Sequence, residues 1–211
     1  MSGTLPTSPA FSSLIVQSVQ PTFISRSISG RRQARQTHGQ YFKMTASFPP
    51  MTRAQFAPIN AFIAKQRGQY ESFQVVPPVL NAGLGSPAGT PLVNDDGGAS
   101  QTGRSVVTDG WSNSITIFKA GDYLKFANHD KVYTVTADAT SDGSGDSTIS
   151  IEPALITAPA DDSAVTYTSV PFTVALRSGI QEFDTGTSGL FSLEIDFEEV
   201  LRIHRAVCIQ I

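Results

Sequence analysis

Residues 52–78, TRAQFAPINAFIAKQRGQYESFQVVPP, decide how the rest of the chain is read: a short amphipathic helix, a glycine stop and an extended run closed by paired prolines. Thr52 and Gln55 stand at the spacing of a capping box, in which a threonine hydroxyl and a side chain three residues on satisfy first-turn backbone groups. Phe56, Ile59, Phe62 and Ile63 fall on one helical face, with Gln55, Asn60, Lys65, Gln66 and Arg67 on the other. Pro58 lacks an amide hydrogen and crowds the carbonyl four residues back, which predicts an irregular first turn and regular helix from near Pro58. Arg67 and Gly68 end the helix, a cation in the last turn before a residue that tolerates positive φ. Residues 70–76 then read as a strand, halted at Pro77 and Pro78 because proline supplies no ladder donor.

Working outward, residues 41–48 (YFKMTASF) alternate Phe42, Met44, Ala46 and Phe48 against Tyr41, Lys43, Thr45 and Ser47, the period of a half-buried strand. Upstream, the glycine-bounded basic segment 30–39 (GRRQARQTHG) reads as a hairpin loop, and 11–28 as strands broken near Pro21. Residues 1–10 read as a mobile segment or an arm laid on a neighbour. Downstream, Gly, Pro and Asn punctuate 79–101, which reads as a linker or long loop. Short strands follow at 104–108, 113–118, 122–126, 131–137, 147–152, 164–168 and 172–176. Turns fall at 119–122, 128–130 and 141–146, and this rhythm predicts a small β-barrel or sandwich. Residues 180–183 pair briefly and 184–189 turn. Residues 190–201 then alternate Leu193, Ile195 and Phe197 against Glu194, Asp196 and Glu198. This acidic strand and the basic strand 41–48 are both long, so the two are expected to be neighbours, with Lys43 near one of the acids. The domain organisation that follows is discontinuous: 1–78 with 180–211 as one domain, and 79–179 inserted between its halves.

At 211 residues, with 40% hydrophobic and 16% charged side chains, 17 Gly and 13 Pro, the chain has room for two turn-rich β modules. No apolar run approaches the roughly 20 residues of a bilayer span, and the first residues lack a basic start followed by an apolar block, so neither a membrane span nor a secretory leader is expected. The lone cysteine, Cys208, excludes an internal disulfide and a thiolate metal cluster and is expected to be a small apolar residue in a terminal strand. Net charge is −3, unevenly spread: the chain up to Tyr70 carries eight Lys and Arg and no acid, and the remainder carries 7 cations and 18 acids, +8 against −11. This polarity fits a basic surface that binds nucleic acid by counterion release, a solvated face with no partner, or copies stacked basic part to acidic part.

Five stretches, in their order and spacing, resemble the distal tail protein of long-tailed bacteriophages and the minor tail protein M family of lambda-type phages. They are GQYFKMT from Gly39, FPPMTR from Phe48, IAKQRGQYESF from Ile63, VPP from Val76 and LEIDFEEVL from Leu193. The resemblance covers about half the chain. It implies a tail-tube-like split β-barrel with one flanking helix, assembled as a homo-oligomeric ring, a hexamer in that family, that joins the tail tube protein to the tail-tip hub proteins of the baseplate. It also implies an inserted barrel of oligonucleotide-binding type projecting from the ring, and a virion tail as the final location after synthesis in the host cytoplasm.

Chemistry has little to stand on. His38, His129 and His204 lie on separate segments without ligand spacing and read as loop or surface residues. Asp138, Asp142 and Asp146 are four apart, unlike calcium-loop ligands, and fit turns. The glycine-rich segment 83–89 contains Pro87 and opens no helix, against a phosphate cradle. Glu194, Asp196, Glu198 and Glu199 fit a solvated or interface-facing strand edge better than an acid–base pair. Trp111, placed at a turn, either caps the small barrel's core or offers an exposed ring to a sugar or base. The sequence therefore predicts a mainly β, non-catalytic structural protein with no metal or cofactor. Arg31, Arg32 and Arg35 are the expected subunit contacts, with Glu194, Asp196 and Glu198 as their expected counterpart. Two alternatives stay open: a nucleic-acid-binding module using the basic third, and a related tail-tube or head-to-tail connector subunit.

Overall fold

A computed structural model describes residues 2–36, 39–78, 80, 82–95, 100–127, 129–186 and 189–200. His38, His204, Leu201 and Cys208, for which expectations were given above, lie outside them. The chain opens with β1 (Ser13–Val19), β2 (Thr22–Arg26), β3 (Arg32–Gln36), β4 (Tyr41–Ser47), the helix α1 (Arg53–Lys65) and β5 (Ser72–Val75). It continues through β6 (Gly89–Val93), β7 (Ser105–Trp111), β8 (Thr116–Phe118), β9 (Tyr123–Phe126), β10 (Tyr133–Val135), β11 (Ala139–Thr140), β12 (Ser147–Glu152) and β13 (Val165–Thr166). It closes with β14 (Phe172–Leu176), β15 (Phe183–Thr185) and β16 (Phe191–Glu199). The fold is mainly β with one helix among the described residues. It divides into two compact units: Met1–Gln74 with Val174–Val200, and Val75–Thr173.

In the first unit the strands lie in the order β1-β4-β16-β14-β5, with β15 also on β16. The acidic strand does pair antiparallel with the basic one, Ile195 opposite Ala46 and Glu198 opposite Lys43. Alternation explains why this pair is stable. Phe42, Met44 and Ala46 from β4 and Leu193, Ile195 and Phe197 from β16 all turn inward and are buried. The helix covers this layer with Phe56, Ile59 and Ile63. Phe56 stacks on Phe191, ring centroids 4.7 Å apart, and Phe62 meets Phe73 edge-on at 5.4 Å. Each such ring contributes about 1.5–3 kcal/mol of burial.

Three expectations for this unit need correction. Regular helix begins at Arg53, ahead of Pro58: the carbonyl that Pro58 leaves without a donor belongs to Ala54, and both residues are exposed, so solvent can satisfy it. The N-cap is held as expected, the Gln55 side-chain oxygen accepting from the Thr52 amide and hydroxyl, both at 3.0 Å. Gln66, assigned to the polar face, is buried; its amide donates to the Phe62 carbonyl and its oxygen accepts from the Ser2 hydroxyl. Residues 2–5 are no free arm. They lie along β5 with a parallel bridge between Thr4 and Gln74, Leu5 donates to the Gln74 carbonyl at 2.8 Å, and the Leu5 side chain is buried.

The second unit is a six-stranded sheet in the order β13-β9-β10-β12-β7-β6, with β8 and β11 as a separate pair. A bridge between Leu92 and Ala164, with Val93 donating to Ser163 at 2.9 Å and Asp162 to Val93 at 3.0 Å, brings the two ends together into a nearly closed barrel. Its core holds Val93, Val106, Trp111, Ile117, Phe118, Leu124, Phe126, Tyr133, Val135, Ile149, Ile151 and Val165. The expected linker 79–101 is thus partly barrel wall, because it contributes β6. Its glycines serve close approach: a Cβ on Gly89 would lie 2.3 Å from the Gly110 carbonyl oxygen, and one on Gly110 would lie 2.5 Å from that of Thr90. Asp122, buried in the turn after β8, accepts from the amides of Lys119 (2.8 Å), Leu84 (2.7 Å) and Gly85 (3.2 Å) and so fixes the glycine-rich segment to the barrel.

Candidate subunit interface

The basic segment expected as a loop is a strand. β3 pairs with β2 to form a two-stranded sheet of its own, Arg35 opposite Phe23 and Arg32 opposite Arg26. The turn lies earlier, where Gly30, at φ 78°, donates to Ser27 at 2.9 Å and Ser27 to Arg31 at 3.0 Å. Every residue of both strands is exposed. A lone hairpin of this kind is marginally stable in water, and like charges directly opposite weaken it further. Phe23 is 69% exposed, and Ile28 at the tip is wholly so. None of Arg26, Arg31, Arg32 and Arg35 has a carboxylate partner among the described residues.

On β16, Glu194, Asp196 and Glu198 share the outward face as expected, while Glu199 falls on the inward one. The Glu199 carboxylate is buried and accepts from the Phe42 amide at 3.2 Å, so it leaves the expected cluster. The arginine trio and the acidic trio are not brought together within the chain. Arg177, which sequence reasoning passed over, lies 4.0 Å from Asp196 and 3.8 Å from Glu198, and Ser47 donates to Glu194 at 3.0 Å. These exposed ion contacts are worth about 0–1 kcal/mol each. Beside them opens a cleft of about 440 Å³ lined by Ser47, Phe48, Glu182, Phe183, Asp184, Ser192, Leu193 and Glu194. Glu182 and Asp184 were also missed, because a carboxylate beside a three-residue strand carries no periodic signal.

Trp111 is the last residue of β7 and is 4% exposed. Its indole nitrogen donates to the Thr108 hydroxyl at 2.9 Å, and its faces meet Phe118 and Tyr167 at 5.5 Å each. It is a core residue with no open face for a sugar or base. His129, expected in a loop or at the surface, lies in the segment between β9 and β10 but is 8% exposed, between Phe126 and Tyr133. Its Nδ1 lies 3.3 Å from the Tyr133 hydroxyl, and burial holds its pKa below the ordinary value. The spaced aspartates serve turns. Asp142 accepts from the amides of Ser144 at 2.8 Å and Asp146 at 2.9 Å, which keeps its carboxyl below the usual range, and Asp138 takes Lys119 at 2.6 Å. Among the described residues no group of three His, Cys, Asp or Glu is placed to hold a metal, and no helix is long and apolar enough to cross a membrane.

The match to a known family falls on the barrel of the second unit. Residues 84–170 match the family model described as distal tail protein pb9, B domain. The B-domain match bears out the resemblance to distal tail proteins, and it falls on the barrel rather than on the stretches in the first unit that carry most of that resemblance. The model is of one domain of a phage distal tail protein, and it spans 87 of the chain's 211 residues. The segment 84–170 begins at the strap tied down by Asp122 and ends just before β14, so it takes in β6 to β13 entire. No curated protein matches the chain.

Proposed function

We propose that this chain is a non-catalytic subunit of a phage tail-tip or baseplate ring, joining the tail tube to the tip complex, with 1–78 and 180–211 forming the ring domain and 79–179 inserted as a barrel whose last strand, β14, runs on the ring domain's sheet. The B-domain match carries the proposal. The pairing of β4 with β16, which ties the early and late parts of the chain into one sheet, supports the discontinuous arrangement. Self-association is supported by the surface of the first unit: an exposed cationic hairpin, an acidic strand face, and β1 at the end of the sheet order with Ile15 exposed. Exposed strand edges of this kind are satisfied when copies meet around a closed symmetry. Arg31, Arg32 and Arg35 are the proposed contacts on one side, and Glu194, Asp196 and Glu198 on the other. Negative-stain images of the purified chain, alone and with tail tube protein, test this: rings are expected, and isolated particles of monomer size under both conditions would refute it.

A further inference from the structure

We propose that the β2–β3 hairpin of one copy docks head-to-tail into the Glu182–Asp184–Glu194 cleft of the next. The inference rests on the ring-subunit reading and names its interlocking parts. Chemistry matches on both sides. The hairpin presents Arg26, Arg31 and Arg32 around its turn, with Ile28 at the tip and Phe23 on one face, all exposed. The cleft presents Glu182, Asp184 and Glu194 over an apolar floor of Phe48, Leu193 and the 49%-exposed Phe183. Guanidinium groups bind carboxylates through two parallel hydrogen bonds, so three cations facing three acids is a specific arrangement as well as an attractive one. Among the described residues Glu182 and Asp184 make no ion pair in their own chain, and neither do the three arginines.

The hairpin does not sit in its own chain's cleft: none of its residues lines that cleft, and every residue of β2 and β3 is exposed. In the β1–β4 ladder Val19 lies opposite Tyr41 at one end and Ser13 opposite Ser47 at the other. The hairpin leaves β1 past Val19, through Gln20 and Pro21, at the Tyr41 end. Ser47 and Phe48 line the cleft at the opposite end, about 20 Å away at roughly 3.3 Å per residue. Because the two surfaces are different and lie apart within one chain, their contact joins different copies and repeats, which closes a ring when the rotation per step divides a full turn. The strand β15 adds a backbone component. Among the described residues it pairs only with β16, so its other edge is one beside which an incoming strand can hydrogen-bond.

Charge exchange on the full chain tests the docking. One variant carries Arg26→Glu, Arg31→Glu and Arg32→Glu; the other carries Glu182→Lys, Asp184→Lys and Glu194→Lys. Sedimentation is expected to show each variant associating at least about 100-fold more weakly than the wild-type chain, since like charges face each other in both. Mixing the two variants is expected to restore association, because each hairpin then meets a cleft of opposite sign. Ile28→Asp, at a fully exposed position, is a third variant that does not disturb folding and is also expected to weaken association. If either charge variant associates like the wild type, or the mixture of folded variants stays dissociated, the docking is wrong while the ring reading stands. A wild-type chain that never associates would instead remove the ring reading and the docking with it. Loss of DNA binding in the arginine variant with association intact would assign the hairpin to nucleic acid and overturn the proposal.

Discussion

Trp111 and His129 show how burial decides what a side chain does. Trp111→Ala removes a ring enclosed by Phe118 and Tyr167 and a hydrogen bond to Thr108, so it is expected to destabilise the barrel unit by about 3–5 kcal/mol in denaturant titration. As the chain's one tryptophan, Trp111 also reports directly: its fluorescence is expected to resist iodide quenching until the barrel unfolds. Quenching in the folded chain would contradict its place in the core. His129 carries a pH dependence. Burial disfavours its charged form and so lowers its folded pKa, with Lys125 acting in the same direction and the Ala158 carbonyl and Asp130 opposing. The unfolded chain therefore takes up the proton first. This contribution to stability is complete above about pH 6.5, the unfolded value, and is lost as the pH falls below it. The melting temperature of the wild type is expected to drop more between about pH 7.5 and about pH 5.5 than that of His129→Gln. Equal drops would exclude His129 as the source. The core place of Trp111 was one of the two readings its sequence offered, whereas the burial of His129 was not readable, since a single imidazole in a short segment has no periodicity to declare which way it points.

Among the elements, legibility followed alternation. β4 and β16 were readable because each places inward-facing apolar residues at every second position, and α1 because its apolar residues recur at helical spacing. β3 was not, because RQARQ has no buried face and only its pairing with β2 makes it a strand. β6 was masked by Pro91 and by glycines whose role is contact rather than flexibility. Residues 2–5 were opaque because one buried side chain, Leu5, anchors them, together with backbone bonds that no sequence pattern signals. Gly89→Ala tests the barrel wall. The new Cβ would collide with the Gly110 carbonyl, and φ is 114°, so the variant is expected to lose at least about 2 kcal/mol of stability. A neutral result would mean that β6 can shift away from β7. Gln55→Ala removes the acceptor of the Thr52 amide and is expected to cost about 1 kcal/mol, read as a lower denaturation midpoint.

At the scale of the whole molecule, the readable feature was the separation of charge, an early part of +8 and a later part of −11. Eleven of the 18 acids lie in the second unit, and the first unit carries two surfaces of opposite sign, the arginine hairpin and the acidic cleft. What the sequence concealed was which acids count. Asp196 and Glu198 are partly engaged by Arg177, and Glu199 turns inward, leaving Glu194 with Glu182 and Asp184 at the cleft. An assembly built on such contacts is expected to loosen as salt rises, since exposed charges beyond a Debye length of about 10 Å at 0.1 M are screened. Native mass spectrometry of the full chain measures the central claim most directly. A single closed oligomer is predicted, falling to monomer as salt is raised; monomer alone at every protein concentration and every ionic strength would contradict it.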